Sequence, residues 1–367
     1  MALFRRALAL AAVVAAPVAG AALPAGAAGP SPGAVYLLSN QVAGNSVLAY
    51  SRAADGTLTP AGSVATGGTG TGGGLGSQGA VVLDEDGTHL YAVNAGSNTV
   101  TSFRVADGGL ERLDVVPSGG TMPTSLTVHG GLLYVLDAGG PGAISGFTVD
   151  DGHLAPLAGS TRPLSGTATA PAQVSFTPDG TRLLVTERAT QRIDVYTVGA
   201  GGLATGPNVA PSAGPTPFGF GFDNKGHAIV SEAFGGAADA SAVSSYAVTG
   251  GGLETVSASV PTTETAACWI AVTNNGKFAY AGNAGTNSVT GYRVAPDGSL
   301  AVLDADGKTA SAAAGVTDLA LSRNSRFLYG RLSNRTVGVW AVAADGSLAD
   351  LGPVPGLPAG AAGIAAA

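Results

Sequence analysis

The chain is poor in the residues on which much protein chemistry depends. Its 367 residues include one cysteine, Cys268, and four histidines. One thiol permits no internal disulfide, so stability has to come from burial and strand pairing. Only 11% of the residues are charged, with 17 Lys and Arg against 24 Asp and Glu, and the basic ones are scattered singly. A nucleic-acid surface needs a concentrated positive patch, so nucleic acid is set aside as a partner. Beyond the N-terminal region no apolar run is long enough to cross a bilayer.

The N-terminus itself reads MALFRRALALAAVVAAPVAGAALPAGAAGP. Arg5 and Arg6 make a basic start, Ala7 to Val18 a short apolar stretch, and Ala19-Gly20-Ala21 and Ala25-Gly26-Ala27 two small-residue cleavage sites. That order predicts a secretory signal peptide over 1–28 and a linker over 29–33. The apolar stretch is short for a spanning helix, and no cysteine follows the cleavage region to carry a lipid. The mature protein is therefore expected to be secreted, off the membrane and monomeric.

What the chain does have is glycine, 58 residues, and a 45% hydrophobic content spread evenly along it. This composition suits many short strands separated by turns. Residues 91–110, YAVNAGSNTVTSFRVADGGL, return almost verbatim at 280–300 as YAGNAGTNSVTGYRVAPDGSL. The pair belongs to a longer series. An apolar residue followed three positions later by an aromatic recurs as VLAY (47–50), VTSF (100–103), ISGF (144–147), IDVY (193–196), VSSY (243–246), VTGY (289–292) and VGVW (337–340). The aromatics are spaced by 53, 44, 49, 50, 46 and 48 residues. Each is followed by a glycine-bearing turn and then a leucine: Leu58, Leu110, Leu154, Leu203, Leu253, Leu300 and Leu348. Upstream of each lies a second hairpin, such as VVLDEDGTHLYAV or IAVTNNGKFAYA.

Each unit of about fifty residues thus holds four short antiparallel strands, and seven units predict an all-β, seven-bladed β-propeller over 34–367. The first unit starts at AVYLLSN (34–40) without an inner strand, while PAGAAGIAA (358–366) has an inner strand's pattern and no blade of its own. The C-terminal strand is expected to complete blade one and close the ring.

The blade grammar, about spDGxxlYvxNxxsnsVxxyxvxxDGxL, resembles the lactonase family of seven-bladed propellers over residues 34 to 366. That family includes a cytoplasmic 6-phosphogluconolactonase and fungal carboxymuconate cyclase. The resemblance implies a lactone hydrolase or a cyclase-like enzyme, with a His or Arg in the central channel. The alternative is a non-catalytic secreted propeller that binds a small ligand or a surface partner. A phosphorylated sugar lactone does not suit an exported protein.

Candidate residues are sorted by the expected geometry, in which the loops between strands two and three and between blades surround the channel on one face. His89, His129, His153 and His227 all fall at hairpin turns of the far face. The ends of the second strands instead line up as Ser39, Asn94, Asp137, Glu187, Glu232, Asn283 and Leu332. Glu187 and Glu232, from adjacent blades, form the candidate acid–base pair if they share the channel. With Asn94, Asp137 and Asn283 they are also possible oxygen ligands for Ca²⁺, although no metal or other cofactor is required. The competing reading has these side chains binding neighbouring loop amides and holding the blades together. Arg188 and Arg192 are candidates to hold a substrate carboxylate, or to form surface ion pairs. Asp318 and Arg331 in blade seven are weaker candidates of the same kind. The loops leading into the blades bring Gln78, Gln173, Phe218, Cys268 and Trp269 towards the channel. Trp269 is either a stacking platform or a packing aromatic, and Cys268, with no base nearby, reads as a small buried residue.

Two motifs are rejected. GGTGTGGGLGSQG (67–79) lacks the Lys and the following helix of a phosphate loop, and reads as a flexible connection between blades. GPSPG (29–33) is in the linker, not on a strand-to-helix elbow. The segment 231–246 exceeds its equivalents by about six residues, which suits either binding or a tolerated insertion.

Overall fold

The apolar residue of each repeat and the aromatic three positions on lie in the third strand of a four-stranded antiparallel sheet, and the structure contains seven such sheets. A computed structural model describes residues 33–250 and 252–367. The expected signal peptide and all of the linker but Gly33 lie outside them. From the inside outwards, blade four runs Pro171–Phe176, Arg182–Glu187, Arg192–Val198 and Ala204–Pro211. The other blades repeat this order, with the outermost strand broken into two short pieces in blades three, six and seven. The innermost strands touch one another in sequence around a ring.

Blade one is the exception in connectivity. Its second to fourth strands are Gly33–Leu38, Ser46–Arg52 and Leu58–Ala65, and its innermost strand is the C-terminal Ala362–Ala366. Val35 pairs with Ala366, Tyr36 with Ala365 and Leu37 with Ile364. The chain ends are joined by a ladder, as the terminal patterns predict, and blade one has no open inner edge.

The repeat has a physical explanation in the clefts between blades, where the core sits. Tyr50, Phe103, Phe147, Tyr196, Tyr246, Tyr292 and Trp340 are all buried, and each packs against the preceding blade. Burying one such ring is worth about 1.5–3 kcal/mol, so each cleft has a substantial apolar anchor. The repeated glycine-bearing turn does a second job. Tyr134, Tyr280 and Tyr329 donate hydroxyl hydrogen bonds to the carbonyls of Gly202, Gly346 and Gly56, turn glycines of the following blades, at 2.7, 2.9 and 3.1 Å. Gly56 and Gly346 have φ of +91° and +92°, and a Cβ on either would overlap the ring of Phe327 or Phe278. Positive φ and close approach both select glycine there.

One irregularity recurs. In six blades the innermost strand bulges near its first residues. The residues left unpaired are Thr124, Ala172, Phe218–Gly219, Cys268, Thr317–Asp318 and Gly363. A bulge at this place re-aims side chains at the channel end of the strand. The extra length at 231–246 forms a short 3-10 turn, Phe234–Gly236, with Phe234 half-buried and the two glycines exposed.

Candidate functional site

The ends of the second strands do not face a shared channel. Blades are radial, so side chains leaving the flat of a sheet enter the clefts between blades. Glu187 is fully buried beside the loop from blade three, where its carboxylate accepts from Ser165 N–H at 2.9 Å, from Ser165 Oγ at 2.5 Å and from Thr190 Oγ1. Glu232 is fully buried one cleft further on. It accepts from Gly214 N–H at 2.8 Å, Ser244 Oγ at 2.6 Å and Ser259 Oγ at 2.7 Å. The expected pairing of these two carboxylates across the channel is therefore not found, because each is enclosed by donors in its own cleft. Glu187 has a different acidic neighbour, Asp194, whose Oδ2 shares the Ser165 N–H. Burial, then Glu187, push the Asp194 pKa up to about 8.

Asn94 and Asn283 are equally buried. Asn94 donates to Thr99 and Thr101 and accepts from Asn45, while Asn283 donates to Ser288 and Thr290. Asp137 accepts from Ser118 Oγ at 2.6 Å, and burial raises its pKa to about 6. These oxygens hang in separate clefts. Among the described residues no group of three or more His, Cys, Asp or Glu is arranged to hold a metal ion. Arg192 is exposed, its nearest acceptor Ser165 Oγ at 3.5 Å. The four histidines lie at hairpin turns, each facing a carboxylate: Asp84, Glu85, Asp114 and Asp223.

The channel is built instead from the bulged inner strands and from the glycine-rich segment read as a flexible connection. That segment is ordered by its partners. Asn40 Nδ2 donates to Gly73 O at 2.5 Å, and Gly70 and Gly72 N–H donate to Gln41 and Asn40. Residues 77–79 then cross the channel. Ser77 Oγ donates to Thr124 O in blade three at 2.7 Å, and Gln78 N–H to Ala172 O in blade four at 3.0 Å. The Gln78 side chain reaches blade six, where Nε2 donates to Ile270 O at 2.7 Å and Oε1 accepts from Ile270 N–H at 3.1 Å. Trp269 Nε1 donates to Ser77 O at 3.3 Å. Gly219 makes room, since a Cβ there would overlap Gln78 Oε1. Gln173 makes the comparable two-way bridge to Phe220 in the next blade, at 3.0 and 2.7 Å.

This plug divides the channel. On the hairpin side is a cavity of about 420 Å³, lined by Gln78, Gln173, Leu83, Leu319, Leu321 and Ile364. At the opposite mouth is a cavity of about 250 Å³ between the plug loop Gly74–Ser77, Trp269, Thr317, Arg331 and Gly363. Trp269 packs on Phe218 with ring centroids 5.1 Å apart, and the Arg188 guanidinium lies 4.8 Å over the Phe218 ring. Arg188 Nε donates to Ala170 O at 3.0 Å, and burial lowers its pKa. Of the residues singled out from sequence, the structure thus gathers Gln78, Gln173, Trp269 and Arg188 around the channel. It leaves Glu187, Glu232, Asn94, Asn283 and Arg192 outside.

Arg331 is the exceptional group of the mouth. It lies on the strand Phe327–Leu332 opposite the two-residue bulge of blade seven, and its own carbonyl accepts from Thr317 Oγ1 at 2.9 Å. Its Nε is buried with no hydrogen-bond partner, and burial lowers its pKa. Asp318, in the bulge with Thr317, accepts from Leu319 N–H through Oδ1, and its Oδ2 has no partner. Full burial pushes its pKa up to about 8 despite the nearby Arg331. A guanidinium that lines a cavity with its Nε free of hydrogen bonds is placed to receive an anion. The plug itself escaped the sequence reading, since a glycine run carries no periodicity. Its only sequence signal is the isolated Ser77-Gln78 pair at the end of that run.

Comparison with known proteins agrees with this architecture. The family model described as lactonase, 7-bladed β-propeller, matches residues 33–159. No curated protein matches the chain. Among solved structures, a Lactobacillus plantarum protein superposes with TM-score 0.72 at 18% identity, covering 91% of this chain and 99% of that one. A "putative 6-phosphogluconolactonase" of Bacteroides fragilis gives 0.68 at 20% identity, over 91% and 98%. The periplasmic gluconolactonase of Pseudomonas aeruginosa gives 0.67 at 19% identity, over 89% and 98%. At such identities the likeness shows the fold.

Proposed function

Starting from a seven-bladed propeller that matches the lactonase family over residues 33–159, we propose that the chain hydrolyses a small lactone bearing a carboxylate, bound at the channel mouth with Arg331 as its anchor. The observation that carries this reading is the unpartnered Arg331 Nε at a 250 Å³ cavity that Trp269 walls with an aromatic face. The cavity suits a ligand of one ring. In hydrolysis, water adds to the lactone carbonyl, the ring C–O bond breaks, and the departing alkoxide takes a proton to give the hydroxy acid. Asp318, with its pKa near 8, is mostly protonated at neutrality and half-ionised only near pH 8. It is buried behind Thr317 and off the cavity wall, so its part, once ionised, is to balance the charge of Arg331, and the proton lost by the attacking water goes to the alkoxide. The signal-like N-terminus supports an unphosphorylated substrate met outside the cytoplasm.

The test is pH-stat hydrolysis of γ- and δ-lactones with and without a carboxylate, by the purified full chain and by Arg331→Gln. Loss of a buried charged partner for an anion is worth about 2–5 kcal/mol, so kcat/KM for the anionic lactones should fall by about 30-fold or more. Neutral lactones should be affected far less. R331Q removes a desolvated charge but also its attraction to Asp318, so parent and variant are compared per folded molecule, with Tm measured alongside. Unchanged turnover of anionic lactones by R331Q would refute the site. The second reading, a non-catalytic binder, rests on the enclosure of Glu187 and Glu232 by structural donors. It gains if anionic lactones bind by calorimetry in an Arg331-dependent way and none is hydrolysed.

A further inference from the structure

We propose that Gln78 sets the specificity of the channel-mouth site, by sealing the channel floor and holding Trp269 in place. This rests on the mouth cavity being the ligand site. Four observations converge on one residue. Its side chain makes a two-way amide bridge to Ile270 across the channel, at 2.7 and 3.1 Å. Its backbone N–H is tied to Ala172 in blade four. The preceding carbonyl, Ser77 O, receives the Trp269 indole N–H. Gly219 in blade five lacks the Cβ that would displace the Gln78 Oε1.

A primary amide is the side chain that mimics a peptide group, offering one donor and one acceptor to a strand edge. Gln78 meets Ile270 as a strand neighbour would, without requiring a strand to span the pore. The consequence is size selection. With the bridge made, a ligand at the mouth meets a floor and is confined to about 250 Å³. With it removed, the mouth opens towards the 420 Å³ cavity beyond, whose walls combine Leu319, Leu321 and Ile364 with Asp84, Glu85 and Arg323. A longer chain on the ligand would then be accepted, and Trp269 would lose the anchoring of its neighbour Ile270.

Cys268, next to Trp269, is the chain's only thiol and serves as an internal reporter. It is 7% exposed, and burial pushes its pKa up to about 12, so it should react slowly in the parent protein. The experiment compares iodoacetamide labelling of Cys268 in the parent, Gln78→Ala and Gln78→Glu, at increasing urea below the unfolding transition. Opening the floor should raise the rate at least tenfold in Q78A with little urea dependence. A rate that climbs with urea as global unfolding does, or that matches the parent, overturns the gate. In Q78E the carboxylate loses the donor to Ile270 O, so labelling should rise to between the two. On a lactone series with lengthening alkyl chains, Q78A should lower KM for the long members by about tenfold with less change in kcat. A parallel loss of kcat for all members would mark a merely structural role. Absence of turnover throughout would refute the hydrolase and leave the labelling result to decide the gate.

Discussion

Replacing Glu232 by alanine discriminates sharply between a chemical and an architectural role for the buried carboxylates. Glu232 receives one backbone N–H, from Gly214, and two close hydroxyls, from Ser244 and Ser259, with the Ser212 hydroxyl longer at 3.5 Å. Removing it leaves the Gly214 N–H without an acceptor, at about 1–3 kcal/mol for an orphaned buried group. The two hydroxyls can rotate to other acceptors and add less, and a small void adds roughly 1 kcal/mol more. The sum is about 3–4 kcal/mol. With an unfolding entropy of about 2 cal/mol/K per residue, that lowers the Tm by roughly 5 °C. Glu232→Gln keeps the shape and one acceptor, and should lose about half as much. Differential scanning calorimetry gives the shift, and turnover or ligand binding per folded molecule gives the functional effect, expected to be nil. A Tm within 1 °C of the parent together with lost activity would refute the reasoning and return Glu232 to the chemistry.

Other expectations follow from the same structure. Asp194 and Asp318 have folded pKa values near 8, above their unfolded values. Their favourable contribution is full below about pH 4 and is lost as pH rises through 8, at up to about 1.4 kcal/mol per pH unit for each ionising group. Chemical denaturation between pH 5 and 9 should therefore show falling stability, and Asp194→Asn should flatten the slope. A steeper slope in the variant would contradict the assignment. Ending the chain after Ala361 removes the strand that pairs with Gly33–Leu38. It should give an aggregating protein on size exclusion, partly rescued by a peptide of residues 358–367. Gly346→Ala should cost more than Tyr280→Phe. The first imposes strain at φ +92° and a clash with Phe278, while the second removes one hydrogen bond worth about 1 kcal/mol.

The architecture was readable because every blade writes its cleft-filling aromatic and its turn glycine at nearly fixed spacing. Tyr292 and Trp340 bury themselves against a neighbour, and that need is what the period records. The strand-end residues Asn94, Glu187 and Glu232 were recognisable as a set for the same reason. Their direction was not, since a period of two along a strand tells which residues share a face and not what that face meets. The plug was hidden more deeply. Gln78 and Ile270 stand 192 residues apart, and nothing near either anticipates the other. Arg331 stood out only after burial showed that its Nε lacked a hydrogen-bond partner.

The bulges on the inner strands have a consequence for how such a ring changes over time. A residue outside the ladder has no cross-strand partner to match, so it can be exchanged with less disturbance to its blade, Gly363 at φ +67° excepted. Thr124, Ala172, Cys268, Thr317 and Gly363 are four different residue types at five nearly equivalent places. A propeller of this kind resembles a lock whose tumblers turn independently of its casing. New ligands can be tried one blade at a time, while the sheets that hold the ring together stay as they are.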